Sequence, residues 1–134
     1  MIAPAYMNNE LLRELIRKCA TRMLEDSLGF WKFELTDCLV LVITDESHNR
    51  MRIMSPVVDL EAIPDHEWPV LMSANFDRAL DARYCLNGET LWSAFIHPLQ
   101  ELGGEQFNDA LNQVVTLARN YGTSYSSSDL VFGG

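Results

Sequence analysis

Four consecutive residues, Asp45-Glu46-Ser47-His48, put carboxylates, a hydroxyl and an imidazole into one short stretch, the residue types that acid–base or nucleophilic catalysis requires. A Ser–His–Asp relay draws its members from separate elements of the fold. Neighbours in a turn, which the following Asn49 marks here, are expected to point apart, so these residues are read as a turn and not as a catalytic set. They also lack the ligand spacing and the glycine of a calcium loop. His66 and His97 fall near the ends of expected elements and are read as structural. Neither G-x-G-x-x-G nor G-x-x-x-x-G-K-S/T occurs, so the glycines offer no phosphate cradle. Cys19, Cys38 and Cys85 are odd in number and widely spaced among apolar residues, which fits small buried hydrophobes and neither a zinc site nor a disulfide framework. The expectation is a protein that is not an enzyme, with no catalytic residues, no metal and no cofactor.

Recognition is the chemistry left, and its candidate residues sit on one hairpin. Ala82 to Ile96 holds two runs of strand-forming residues around Asn87-Gly88, a strong hairpin signal. With Asn87 and Gly88 as the turn, Leu86 is expected opposite Glu89, Tyr84 opposite Leu91 and Ala82 opposite Ser93, while Cys85 faces Thr90 and Arg83 faces Trp92. Tyr84, Leu86, Leu91 and Phe95 then share a face that helices would cover. Arg83, Cys85, Trp92, Ala94 and Ile96 share a mixed face suited to a partner. Arg83, Trp92, Ala94 and Ile96 are the expected partner-binding residues, because Trp and Arg recur at interface hot spots.

The elements that must position this hairpin can be read in chain order. Asn8 or Asn9 can cap a first helix with an inner stripe of Leu11, Leu12, Leu15, Ile16, Cys19 and Met23, and Gly29 marks the break after it. Arg13, Glu14, Arg17, Lys18 and Arg22 cover its other side as a solvated face. Trp31, Phe33 and Leu35 alternate with Lys32 and Glu34, as in a strand with one wet side. Cys38 to Thr44 is apolar nearly throughout and is expected inside the sheet with both faces covered. Met51 to Val58 is a third strand, with Pro56 implying an edge or a bulge. A second helix follows, with Asp65 as its N-cap, Pro69 in its first turn and Leu71, Met72, Asn75, Phe76 and Ala79 on its apolar side. After the hairpin, Gly103 and Gly104 precede a last helix from about Glu105 to Tyr121, with the stripe Phe107, Leu111, Val114, Val115 and Ala118. The expected fold is α+β, an antiparallel sheet with helices packed on one side, in the order α-β-β-β-α-β-β-α.

A chain of 134 residues with 48% hydrophobic and 22% charged residues has the balance of one globular domain. Residues 1–122 are assigned to that domain and 123–134 to a flexible Ser-rich tail, in which Leu130-Val131-Phe132 is a candidate docking segment. The net charge of −9 argues against nucleic acid and anionic membrane as partners and favours either solubility or a basic protein partner, folded or unfolded. Met1 to Tyr6 does not read as a signal peptide, and no run of apolar residues is long enough for a membrane span, so a cytoplasmic location is expected.

The element order, together with the amphipathic first helix at Leu11 to Leu24, Met51-Arg52-Ile53-Met54-Ser55-Pro56, Val70-Leu71-Met72-Ser73-Ala74-Asn75, Leu86-Asn87-Gly88-Glu89-Thr90-Leu91-Trp92 and Phe107-Asn108-Asp109-Ala110-Leu111, resembles the type III secretion chaperone-like fold and, within it, the YbjN-like peptide-binding chaperone family of bacteria. The resemblance implies a small, acidic, non-catalytic homodimer that offers apolar patches and sheet edges to an extended segment of another protein. A sensory-transduction regulator and an inhibitor of a basic protein are the alternatives, and a hydrolase ranks last.

Overall fold

A computed structural model of the chain describes residues 6–128, so Leu130-Val131-Phe132 lies outside the described residues. Helix α1, Asn9–Cys19, opens where the Asn8 side chain accepts the Leu11 N–H at 2.9 Å, and it buries Leu12 and Ile16. Ala20 is extended, with φ −64° and ψ 133°, and the helix ends there. Strand β1, Arg22–Ser27, follows, although Met23 continues the spacing of the helical stripe. It runs antiparallel to β2, Phe30–Leu35, with Met23 opposite Phe33 and Asp26 opposite Trp31. Trp31 and Phe33 are fully buried, and without β1 the outer backbone groups of their strand would lose their partners. That requirement outweighs the helix-compatible composition of Arg22-Met23-Leu24-Glu25. Gly29, at φ +96°, serves the β1–β2 turn.

The remaining elements are β3 at Cys38–Asp45, β4 at Arg50–Asp59, α2 at Trp68–Asp77, β5 at Arg83–Asn87, β6 at Thr90–His97 and α3 at Gly104–Arg119. The six strands form one antiparallel sheet in the order β1-β2-β3-β4-β6-β5. This is the α+β class and element order expected from the sequence, with β1 added at one edge. The helices pack on one face. There Trp31, Phe33, Val40, Val42, Met51 and Ile53 meet Leu12 and Ile16 of α1, Leu71 and Ala74 of α2, and Phe107, Leu111 and Val114 of α3 in one core. Two hydroxyls fasten the hairpin to α3: Ser93 donates to the Val114 carbonyl and Tyr84 to the Leu117 carbonyl, each at 2.8 Å.

Two local expectations change, and a third is narrowed. Strand β3 does lie inside the sheet, but only Val40 and Val42 are buried. Leu39, Leu41 and Ile43 point to the face that carries no helix and are half-buried. At Pro56 the bulge alternative holds and the edge alternative does not: β4 is a central strand, and its register against β6 slips between Pro56 and Val58, which spares the ladder the missing N–H. Asp65 begins a short 3₁₀ turn, Asp65–Glu67, and Glu67 precedes α2 without a side-chain capping bond.

Candidate partner-binding face

The hairpin turn is built on Gly88 and Glu89. Asn87 pairs with Thr90, and Gly88 takes φ +63° while Glu89 stays outside the positive-φ region, a pattern that matches a II′ turn better than an I′ turn. Moving the turn centre by one residue moves every cross-strand partner by two. Leu86 therefore opposes Leu91, Tyr84 opposes Ser93, Cys85 opposes Trp92, and Arg83 opposes Ala94 in place of Trp92. Because the side-chain period of a strand is two, the composition of each face survives this correction.

Arg83, Trp92, Ala94 and Ile96 thus share the face without helices. Ile96 is 55% exposed and Trp92 is half-buried, whereas Ala94 is only 5% exposed and forms the floor between its neighbours Met54 and Arg83. The Trp92 indole Nε1 is shielded from water and has no hydrogen-bond partner, an expensive state for a donor. The Arg83 guanidinium turns back to its own loop, where it donates to the carbonyls of Leu80 and Ala82.

The register carries this face across the whole sheet. One row runs Glu25, Lys32, Leu41, Met54, Ala94, Arg83, and the next runs Ser27, Phe30, Ile43, Arg52, Ile96. Sequence reasoning found the β5–β6 end and missed the contribution of Phe30, Leu39, Leu41, Ile43, Arg52 and Met54. Their signal was present as apolar residues at alternate positions of β3, but a strand apolar at nearly every position reads as buried on both sides. Burial pushes the Cys85 thiol up, and the guanidiniums of Arg52 and Arg83 oppose that shift, so both cations act on the same spot of this face.

A second exposed apolar group lies on α2, where Met72 is 57% and Phe76 is 91% exposed. The helix is rotated from its expected setting. Asn75 fixes the rotation: its amide donates to the Tyr84 carbonyl at 3.0 Å and its oxygen accepts the Tyr84 N–H at 2.8 Å, closing part of the outer edge of β5.

On α1, Arg17 does not face only water, since it holds Asp26 of β1 at 2.7 Å, and Asp26 also accepts the Trp31 indole N–H at 3.1 Å. Asp45, Ser47 and His48 converge, contrary to the expectation that they diverge. Ser47 Oγ donates to Asp45 Oδ1 and His48 Nδ1 meets Asp45 Oδ2, both at 2.7 Å, and Ser47 Oγ lies 3.2 Å from the same Nδ1. Hydroxyl and carboxylate thus share one ring nitrogen, so the imidazole does not link them as a relay would. The Ser47 hydroxyl and the His48 ring and N–H hold the Asp45 carboxyl down to about 2.

Two open depressions lie elsewhere. One of about 500 Å³ runs beside α3 and is lined by Asp109, Gln113, Arg119 and Thr36, whose polar atoms are mutual partners: Gln113 donates to Asp109 and Arg119 to Thr36. The other, about 340 Å³, lies between α1 and Leu102–Gly104. Among the described residues no cluster of His, Cys, Asp and Glu is arranged to hold a metal ion, and no helix is long and apolar enough to cross a membrane.

No protein-family model and no curated protein matches the chain. Solved structures do. The chain is similar to one in the structure of the HopA1-SchA chaperone–effector complex, with a TM-score of 0.62 and 12% identity over 84% of this chain and 90% of that one. It is similar to one in the ExsC-ExsE complex, with a TM-score of 0.63 and 15% identity over 86% and 94%. The chain shares the fold of these two chains. At such identities the likeness establishes the fold, and activity must be argued from the surface.

Proposed function

We propose that this protein is a non-catalytic, chaperone-like binding module that takes an extended segment of a partner protein onto the helix-free face of its sheet, acting as a cytoplasmic homodimer of the YbjN-like kind. The observation that carries this reading is that face: apolar residues from β2, β3, β4 and β6 lie in register on one side of the sheet, and no helix among the described residues covers them. Arg83, Trp92 and Ile96 are its contact residues and Ala94 is its floor. The appearance of the same fold in a chaperone–effector complex supports a protein client.

Trp92→Asp tests the reading. The variant is expected to keep its far-ultraviolet circular dichroism and to lose partner association by roughly thirty-fold to a thousand-fold, which corresponds to about 2 to 4 kcal/mol. Association measured by titration and left unchanged in a folded variant contradicts it. Sedimentation equilibrium at micromolar concentration tests the dimer separately, since a single 15.2 kDa species is incompatible with it.

A further inference from the structure

The chain carries a net charge of −9, yet on the helix-free face basic side chains outnumber acidic ones, five to four. Arg22, Lys32, Arg50, Arg52 and Arg83 all belong to it, half of the ten basic residues of the chain. Four acidic side chains share the face. Glu34 pairs with Arg22 at 4.0 Å, Asp45 is held by Ser47 and His48 in the β3–β4 turn, Glu25 is on the edge strand, and Asp59 is opposite Thr90 beside the hairpin turn. Over β4, β6 and β5 the cations have no carboxylate partner: Arg52 makes neither an ion pair nor a hydrogen bond among the described residues, and Arg83 is bonded only to backbone carbonyls. Arg52, on the central strand β4, is thus a cation of this surface that meets no carboxylate, and Arg83, on the edge strand β5, is a second.

Resting on the reading of this face as the partner site, we infer that its occupant is a protein segment in which apolar residues are interspersed with Asp or Glu. The segment's carboxylates meet Arg52 and Arg83 while its apolar side chains lie on Met54, Trp92 and Ile96. This reverses the partner chemistry that the overall charge suggests. Net charge governs long-range steering, whereas the groups within a few ångströms of the bound segment decide which sequence stays bound.

Three fluorescent peptides test the inference, identical in their alternating apolar residues and carrying Glu, Gln or Lys at the positions between. Anisotropy titrations with the full chain are expected to rank them Glu, Gln, Lys, with the Glu peptide ahead of the Gln peptide by about three- to ten-fold at low salt and by less as salt rises. Arg52→Gln should shrink that preference and Arg52→Glu should abolish it, with circular dichroism unchanged because Arg52 is exposed. A Gln or Lys peptide that binds as tightly as the Glu peptide, or a preference that survives Arg52→Glu, overturns the inference. In that case binding of the Gln peptide that is lost in Ile96→Asp would leave the face itself standing as the partner site. Absence of binding by all three peptides overturns both statements. So does a dimer that Arg52→Glu dissociates and that the peptides do not displace, because the face would then belong to a second copy.

Discussion

Asn75 replaces a missing strand. Its side-chain amide supplies both the donor and the acceptor that the outer edge of β5 needs at Tyr84. Asn75→Ala leaves those two backbone groups to water or to nothing, and it is expected to destabilise the domain by about 1 to 3 kcal/mol in urea unfolding. An unchanged midpoint would mean that the edge is satisfied in another way. Asp45 makes a different kind of prediction. Its carboxyl titrates at about 2 against an ordinary 3.8, held down first by the Ser47 hydroxyl and then by His48. Because the folded-state value is the lower one, stabilisation by Asp45 is fully present above the ordinary value and is lost as pH falls toward 2. A carbon-detected NMR titration should find the depressed value in the unaltered protein and a higher one in Ser47→Ala. Midpoints that coincide in the two proteins would contradict the bond.

Helix α2 shows how tertiary contacts set a rotation that periodicity leaves open. Leu71 is fully buried and Phe76 stands almost entirely in solvent. Leu71→Ala is therefore expected to cost about 2 to 5 kcal/mol, and Phe76→Ser is expected to change stability by no more than about 0.5 kcal/mol. Equal losses in chemical denaturation would show that the helix is turned the other way. Trp68, Val70, Leu71, Met72, Ala74 and Phe76 put apolar residues around most of this helix, so the sequence pattern defined no unique inner face. The polar Asn75, placed on the apolar side for its position alone, sets the rotation through the strand edge. Strand β1 was hidden for a related reason. It is an exposed edge with no alternation of burial, and its need arises in Trp31 and Phe33 of the neighbouring strand. The hairpin was far more legible, because a two-residue turn at Asn-Gly or at Gly-Glu delivers the same two faces. Arg83, Trp92, Ala94 and Ile96 were therefore found together, while Arg52 and Met54 lay on a strand whose partner across the sheet could not be read from local pattern.

At the scale of the molecule, the helical side is closed around a tyrosine cluster and the sheet side is open. The rings of Tyr84, Tyr121 and Tyr125 meet edge-on, with centroids 5.9 to 6.4 Å apart, and Tyr121 donates to Glu67 ahead of α2. Beyond α3 the chain is tied to the α2–β5 loop, where Ser127 donates to the Arg78 carbonyl and accepts the Leu80 N–H. Burial, and then the bond to Glu67, push Tyr121 up to about 12, and burial raises Tyr84 as well. Stability from a raised group is complete below its ordinary value of 10 and is lost as pH climbs through the folded one. The thermal unfolding midpoint should therefore fall between pH 10 and about 12, less steeply in Tyr121→Phe. A flat profile across that range would contradict the cluster. The open side carries the central claim, that a partner segment lies on the sheet and not on the helices. A photo-crosslinking residue placed at Ile96, on the exposed sheet face, or at Asn112, on the exposed side of α3, tests this directly in a lysate that contains the partner. The account predicts an adduct from position 96 and none from position 112, whereas an adduct from position 112 with none from position 96 would contradict it.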